Sequence, residues 1–383
     1  MRPKLVIVTE IIAPYRIPVF NALARRPEID LHVIFLSEND PTLRQWQIYK
    51  DEINFRYDVL PSWRCRLGKC NILLNRGVRS SLKRIKPDAI LCGGYNHVAF
   101  WEAARWATMQ RVPLLLWAES TALDARGSHP LVEFMKQRFL LSCRAVVAAG
   151  KSSSLYLRDL GIAERFIFIA PNAVDNDLFA SQAEEARQQE DRLRALHRLP
   201  SKYFLYMGRL VREKGVFDLL EAYAQLDAGI RAEVGLLFVG DGEDRSDLRE
   251  RASRIATGTV EFPGFVQREG LAKFYALSDG LIFPTHSDPW GLVVNEAMSC
   301  GLPVISTSVA GCVPDLVQDG WNGFVVAPAD PCQLAVAMSR LACDPGLRRK
   351  MGSRSSERIE ANSPKTWAEG LMKAVQFVCA ETQ

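Results

Sequence analysis

The chain has no CxxC pair and no Cys/His spacing of the kind that encloses zinc. Its nine cysteines, at 65, 70, 92, 143, 300, 312, 332, 343 and 379, are scattered, most of them beside apolar neighbours. Reduced, mostly buried thiols are expected. The five histidines form no HExxH or HxH pattern, so no protein-built metal site is expected. Long hydrophobic runs are missing as well. The N-terminal LVIVTEII falls far short of the ~20 residues a membrane span requires and carries Glu10 in its middle, so it reads as a buried first strand. No basic segment followed by an apolar core and a small-residue cleavage site opens the chain. A cytoplasmic location is the expectation, at most peripheral on the inner face of the plasma membrane. Aromatics do not interleave with the basic runs in a recognisable binding module, so nucleic acid is not an expected partner.

What is present is ordinary globular composition over 383 residues, 48% hydrophobic and 24% charged. That length exceeds what one hydrophobic core usually supports, and two domains are expected. The net charge of +4 conceals an asymmetry. Residues 1–175 hold 25 Lys and Arg against 16 Asp and Glu, a balance of +9, and the remainder holds 23 against 28, a balance of −5. Basic side chains cluster in RCRLGKC (64–70) and RGVRSSLKRIK (76–86). An anionic membrane surface or a phosphorylated acceptor is a candidate partner for these runs; a solvated helix face accounts for either run equally well.

Short apolar and β-branched runs recur at 4–10, 31–36, 89–94, 113–119 and 145–150, with helix-like segments such as PVFNALARR and HVAFWEAARWATMQ between them. The alternation restarts at 203–208 and continues through 234–240, 259–264, 280–285, 303–308 and 323–327. Strand alternating with helix predicts two parallel, doubly covered sheets. The join is placed near 175, at IAPNAVDNDLF, giving domains 1–175 and 176–364. EEARQQEDRLRALHRL just beyond it reads as an exposed helix. A last amphipathic helix carries an apolar stripe at Trp367, Leu371, Ala374, Val375 and Val378. The stripe does not say where it docks; segment 365–383 is assigned to the first domain.

Ligands of such sheets lie beyond the carboxyl ends of the strands. After YFLYM comes GRLVREKG, in which Gly208 permits close backbone approach and Arg209 and Lys214 lead into a helix, an arrangement suited to a diphosphate. After GLIFPT comes HSDPWGLVVNEAMSCGLPV. Pro289 and Gly291 shape a turn, a helix begins near Leu292, and Gly301 and Pro303 stop it. Glu296 in the early helix can accept both hydroxyls of a ribose, while N–H groups of Gly291, Leu292 and Val293 face sugar oxygens or phosphate. Asp288 is placed to accept hydroxyls of a transferred sugar, or to close an Asx turn or cap the helix.

GRLVREKG followed by DPWGLVVNEAMSCGLPVISTSVAGCVPDLVQDGWNGFVV resembles the retaining nucleotide-sugar glycosyltransferases of family 4. VGDGED, FPGFV and the hinge-like APNAVD extend the likeness over most of the second half. The resemblance implies the GT-B fold, two Rossmann-like doubly wound domains facing each other across a cleft. It also implies a nucleotide diphosphate sugar as donor, a glycan or lipid-linked acceptor, and no separate cofactor or metal. By motif, Arg209 and Lys214 would bind the diphosphate and stabilise the leaving group, Glu296 would hold the ribose, and the backbone at Phe265 and Val266 would meet the base. The family usually has Glu where this chain has Asp288, one methylene shorter. IIAPYRIPVFNAL lacks the paired glycines common in the family and has Tyr15 and Arg16 instead; Glu119 stands where many members have a His and is a further catalytic candidate. Cell-surface polysaccharide, lipopolysaccharide or glycolipid synthesis is the implied setting. The competing readings are a sugar-nucleotide epimerase or hydrolase, and a nucleotide-sugar or glycan binding module without turnover.

Overall fold

The computed structural model describes residues 2–40, 45–67, 70–124 and 130–380. The chain divides into two compact units, residues 1–174 with residues 363 onward, and residues 175–362.

In the first unit, the strands are β1 (Lys4–Thr9), β2 (Asp30–Phe35), β3 (Arg56–Val59), β4 (Ser62–Leu67), β5 (Cys70–Asn75), β6 (Ala89–Cys92), β7 (Leu114–Ala118), β8 (Ala145–Ala148) and β9 (Ile167–Ile169). Seven of them form one parallel sheet in the order β3-β2-β1-β6-β7-β8-β9, and β4 pairs antiparallel with β5 as a separate hairpin. Alternate residues of β1 enter opposite cores, Leu5 and Ile7 on one face, Val6 and Val8 on the other. Burial on both faces is why these strands read as continuous apolar runs. The C-terminal helix Pro364–Ala380 packs on this unit, its fully buried Trp367 lying against Phe20 and Trp117.

The second unit has β10 (Tyr203–Met207), β11 (Gly235–Val239), β12 (Val260–Gly264), β13 (Gly280–Phe283), β14 (Val304–Thr307) and β15 (Gly323–Val326), all parallel, in the order β12-β11-β10-β13-β14-β15. This is the Rossmann order, and the direction of winding reverses between β10 and β13.

Three sequence expectations need correction. The segment read as one exposed helix is two, Asn176–Gln188 and Glu190–His197, and the first buries Phe179, Ala183 and Ala186. Small apolar residues among the charges gave it a core face that the charge run concealed. The thiols, expected to be mostly buried, are so in fewer than half of the described cases: Cys92, Cys300 and Cys312 are buried, Cys143 and Cys379 half-buried, and Cys332 and Cys343 exposed on the helix Pro331–Cys343. Part of the basic stretch at 64–86 is a hairpin rather than a helix face. Residues 68 and 69 of RCRLGKC lie outside the described residues, as do the side chains from 65 to 71.

Candidate functional site: the switch point of the second sheet

Because the winding reverses between β10 and β13, the loops after these neighbouring strands lie at the switch point on the carboxyl edge of the sheet, where such sheets bind ligands. Both loops end at glycines that no other residue could replace without strain. Gly215 starts the helix Val216–Gln225 with φ +67°, and a Cβ there would lie 1.9 Å from the carbonyl oxygen of Pro284. Gly291 starts the helix Leu292–Ser299 with φ +94°, and a Cβ would lie 2.5 Å from the ring of Phe283. Gly291→Ala should therefore lower the free energy of unfolding by about 2 kcal/mol or more. Urea melts would show it; an unchanged midpoint would mean that the ring yields.

The two loops are joined directly. The Lys214 ammonium donates to Asp288 Oδ2 at 2.8 Å and to the Ser287 carbonyl at 2.7 Å, and His286 N–H donates to the Glu213 carbonyl at 2.9 Å. Asp288 Oδ1 accepts from Trp290 N–H at 3.0 Å, an Asx turn rather than the helix cap. The Asp288 carbonyl accepts from Gly311 N–H at 2.9 Å, which draws in the loop after β14. Both Asp288 oxygens thus have a protein partner. An incoming hydroxyl would meet only their remaining lone pairs, and a Lys ammonium with two donors used keeps one to give. The pair is mostly withdrawn from water, with side-chain exposures of 11% for Lys214 and 19% for Asp288.

Arg209 is exposed, and its guanidinium has no partner among the described residues. The Tyr206 hydroxyl donates to the Arg209 carbonyl at 2.7 Å, fixing the backbone that follows Gly208. Gly208 itself has φ +148°. Next to Gly291, the helix Leu292–Ser299 has no side-chain cap, and the N–H groups of Leu292 and Val293 have no partner among the described residues. Such an end favours an anion.

Glu296 lies on the same helix but turns to a different neighbour. The buried Tyr275 hydroxyl donates to its Oε2 at 2.6 Å. Burial pushes the Glu296 carboxyl up to about 7, and the Tyr275 bond offsets only part of that rise. No direct bond links Glu296 to Lys214 or Asp288 among the described residues. Phe265 is 42% exposed at the end of β12, and Val266 beside it is half-buried.

Glu119 belongs to the first unit, where its two oxygens accept from Arg16 at 2.7 Å and from Asn172 at 2.8 Å. The Arg16 guanidinium lies 3.7 Å from the Trp117 ring centroid. The carboxylate thus ties the loops after β1 and β9 to the end of β7, the geometry of a tether. Among the described residues no group of three or more His, Cys, Asp or Glu is gathered as a metal ion would need.

Sequence reasoning missed Tyr275, which lies 21 residues before its partner and whose hydroxyl is invisible in an apolar pattern. It also missed Trp290, whose buried indole N–H donates to Asn295 at 2.8 Å and braces the turn from within. The Pro-Trp-Gly sequence was the available signal.

Residues 187–358, which contain Lys214, Asp288 and Glu296, match the model of the family described as glycosyl transferases group 1. The second unit is a group 1 glycosyl transferase domain. Its chain is 29% identical over 347 residues to the capsular polysaccharide biosynthesis glycosyltransferase CapM of Staphylococcus aureus, covering 88% of this chain and 86% of that one. It is 32% identical over 183 residues to the alpha-D-kanosaminyltransferase of Streptomyces kanamyceticus, 47% of this chain, and there it spans about half of the relative's length, 46%. The crystal structure of Anabaena HepE in complex with UDP superposes with a TM-score of 0.74 at 20% identity, over 97% of this chain and 99% of that one. The chain therefore has the GT-B fold, a Rossmann-like first unit followed by the group 1 domain.

Proposed function

We propose that the protein is a retaining glycosyltransferase that moves a sugar from a nucleoside diphosphate sugar to an acceptor hydroxyl. The observation that carries this reading is the Lys214–Asp288 pair beside the uncapped helix Leu292–Ser299, at the switch point of a group 1 domain. Lys214, Arg209 and the Leu292 and Val293 N–H groups would take the diphosphate and the charge that grows on it as the glycosidic bond breaks. Glu296 would accept the ribose hydroxyls, and the base would lie by Phe265 and Val266. The departing phosphate oxygen would collect the acceptor proton on the face it leaves, which gives retention and asks for no metal, cofactor or separate base. Asp288 in this scheme orients Lys214 and offers its remaining lone pairs to the sugar. HepE, whose structures contain UDP and UDP-glucose, makes a uridine donor the first to try.

One relative, CapM, is named for capsular polysaccharide biosynthesis, and a role in cell-surface glycan synthesis follows that likeness. A lipid-linked acceptor and work against an anionic membrane surface suit the basic first 175 residues. Among the described residues no helix is long and apolar enough to cross a membrane.

A thermal-shift screen of UDP-, GDP-, ADP- and dTDP-sugars tests the donor, because a ligand of the native state raises the melting temperature by mass action. Product analysis then decides the reaction. A new glycoside supports transfer, whereas an isomerised donor, simple hydrolysis or binding without turnover would overturn it. Tyr275→Phe gives a finer check. Losing a hydrogen bond to a charged group should raise the donor KM about tenfold with kcat nearly unchanged, and an unaltered KM would separate Glu296 from the ribose.

A further inference from the structure

In the β4–β5 hairpin, Trp63 stands opposite Leu74, and position 65 opposite Ile72. Side chains alternate along a strand, so Trp63, Leu74 and Ile72 share one face and Arg64 and Leu73 the other. The second face is the inner one. Leu73 is 1% exposed in the core of the first unit, and Arg64 bonds the buried Asp40 at 2.7 Å. Among the described residues this first face is left open, with Trp63 52%, Leu74 44% and Ile72 37% exposed. An indole, a leucine and an isoleucine on one outward face are costly to leave in water, and their grouping marks a contact surface.

The charge around this face selects the occupant. The Arg76 guanidinium lies 5.1 Å from the Trp63 ring centroid. The helix Val78–Ile85 that follows buries Val78, Leu82 and Ile85 and exposes Arg79 and Lys83, and Lys86 at its end is exposed as well. Arg79, Lys83 and Lys86 have no side-chain partner among the described residues, while the nearby Asp58 is taken by Arg84. An apolar face centred on Trp63, with Arg76 on its ring and three unpaired cations on the helix that follows the hairpin, matches the headgroup region of an anionic bilayer, where indole rings settle and each nearby Lys or Arg adds attraction. A protein partner would more often be met by charges of both signs.

We propose that the outer face of the β4–β5 hairpin, with Trp63, Leu74 and Ile72 inserted, Arg76 beside Trp63, and Arg79, Lys83 and Lys86 supplied by the segment that follows, docks the protein on anionic phospholipid. This rests on the reading that the enzyme works at a membrane surface and names the element that makes the contact. Inserting only side chains of one face leaves the backbone pairing of the hairpin intact, so docking needs no unfolding.

The test is co-sedimentation of the full chain with phosphatidylcholine vesicles and with vesicles containing phosphatidylglycerol, alongside Trp63→Ala/Leu74→Ser and Arg79→Gln/Lys83→Gln. The expected result is binding to the anionic vesicles only, weakening as salt rises, with each double variant at least about tenfold weaker. Unchanged melting temperatures would show that both variants are folded. Trp63→Phe should retain most of the binding. Wild-type binding to anionic vesicles with no loss in either folded double variant would overturn the hairpin while leaving a membrane role. Absence of vesicle binding, with donor turnover on a soluble acceptor intact, would overturn both and leave the transferase standing. Dimerisation abolished by Trp63→Ala/Leu74→Ser would assign the face to a second copy instead.

Discussion

Lys214→Ala is expected to lower the rate of sugar transfer by about 10²–10³-fold or more while the chain stays folded. Two bonds hold the ammonium between the loops after β10 and β13, with 11% of the side chain exposed. A cation fixed before reaction costs no reorganisation as the leaving diphosphate gains charge, so its effect falls mainly on the transition state. The variant leaves Asp288 with Trp290 N–H as a partner and partial access to water. Destabilisation should therefore stay near about 1–2 kcal/mol, closer to a surface pair than to an orphaned buried charge. Steady-state kinetics and a denaturation curve on one preparation separate the two effects. Adding Asp288→Asn should cost much less in the Lys214→Ala background than alone, since the carboxylate acts largely through that ammonium. Additive losses would give Asp288 an independent role at the sugar.

The second large effect concerns pH. Burial holds the Glu296 carboxyl at about 7 instead of 4.5. With the folded-state value above the unfolded one, the group favours folding fully below about 4.5, and that contribution is lost as the pH rises through about 7. On the proposed function binding would run in the opposite direction, because ribose hydroxyls would donate to the ionised carboxylate. Donor affinity should rise about tenfold between pH 6 and pH 8 and level off above, as a single group titrating near 7 requires. Glu296→Gln should flatten the profile at the weak end and remove the low-pH gain in stability. The Tyr275 hydroxyl lowers the Glu296 value, so Tyr275→Phe should move the inflection to higher pH. A pH-independent affinity in the wild type would mean that Glu296 does not face the ribose.

The strands legible in the sequence are those covered on both faces, whose apolar runs leave no polar alternation to confuse them. The ones that escaped are edge or surface elements. β3, with the sequence RYDV, lies at one edge and is ringed by the Arg56–Asp30 and Arg84–Asp58 pairs, and charge of that kind is how an exposed edge is blunted. β9 has three residues, each partly or well exposed. The hairpin was hidden by its basic residues, of which Arg64 reaches Asp40 from the inner face.

The candidate site divides in the same way. Gly291, the start of the helix at Leu292 and the placing of Lys214 and Asp288 on carboxyl-end loops follow from local turn and cap chemistry. That Lys214 and Asp288 meet does not, because 74 residues separate them and only the neighbouring position of β10 and β13 brings them together. The Tyr275–Glu296 bond is equally non-local, and with it the raised value of that carboxyl. Glu119 could be named as a loop acid, but its capture by Arg16 and Asn172 depends on three strand ends that periodicity leaves unordered.

On the proposed function one nucleoside diphosphate is held at its phosphates from the Lys214 loop and at its ribose by Glu296. Calorimetric titration of a nucleoside diphosphate and of its 2′-deoxy counterpart into wild type, Lys214→Ala and Glu296→Gln tests it most directly. Lys214→Ala should weaken both ligands alike and preserve the preference for the ribose form. Glu296→Gln should weaken the ribose form and abolish that preference. Wild-type affinity and preference in both variants would mean that neither residue holds the nucleotide.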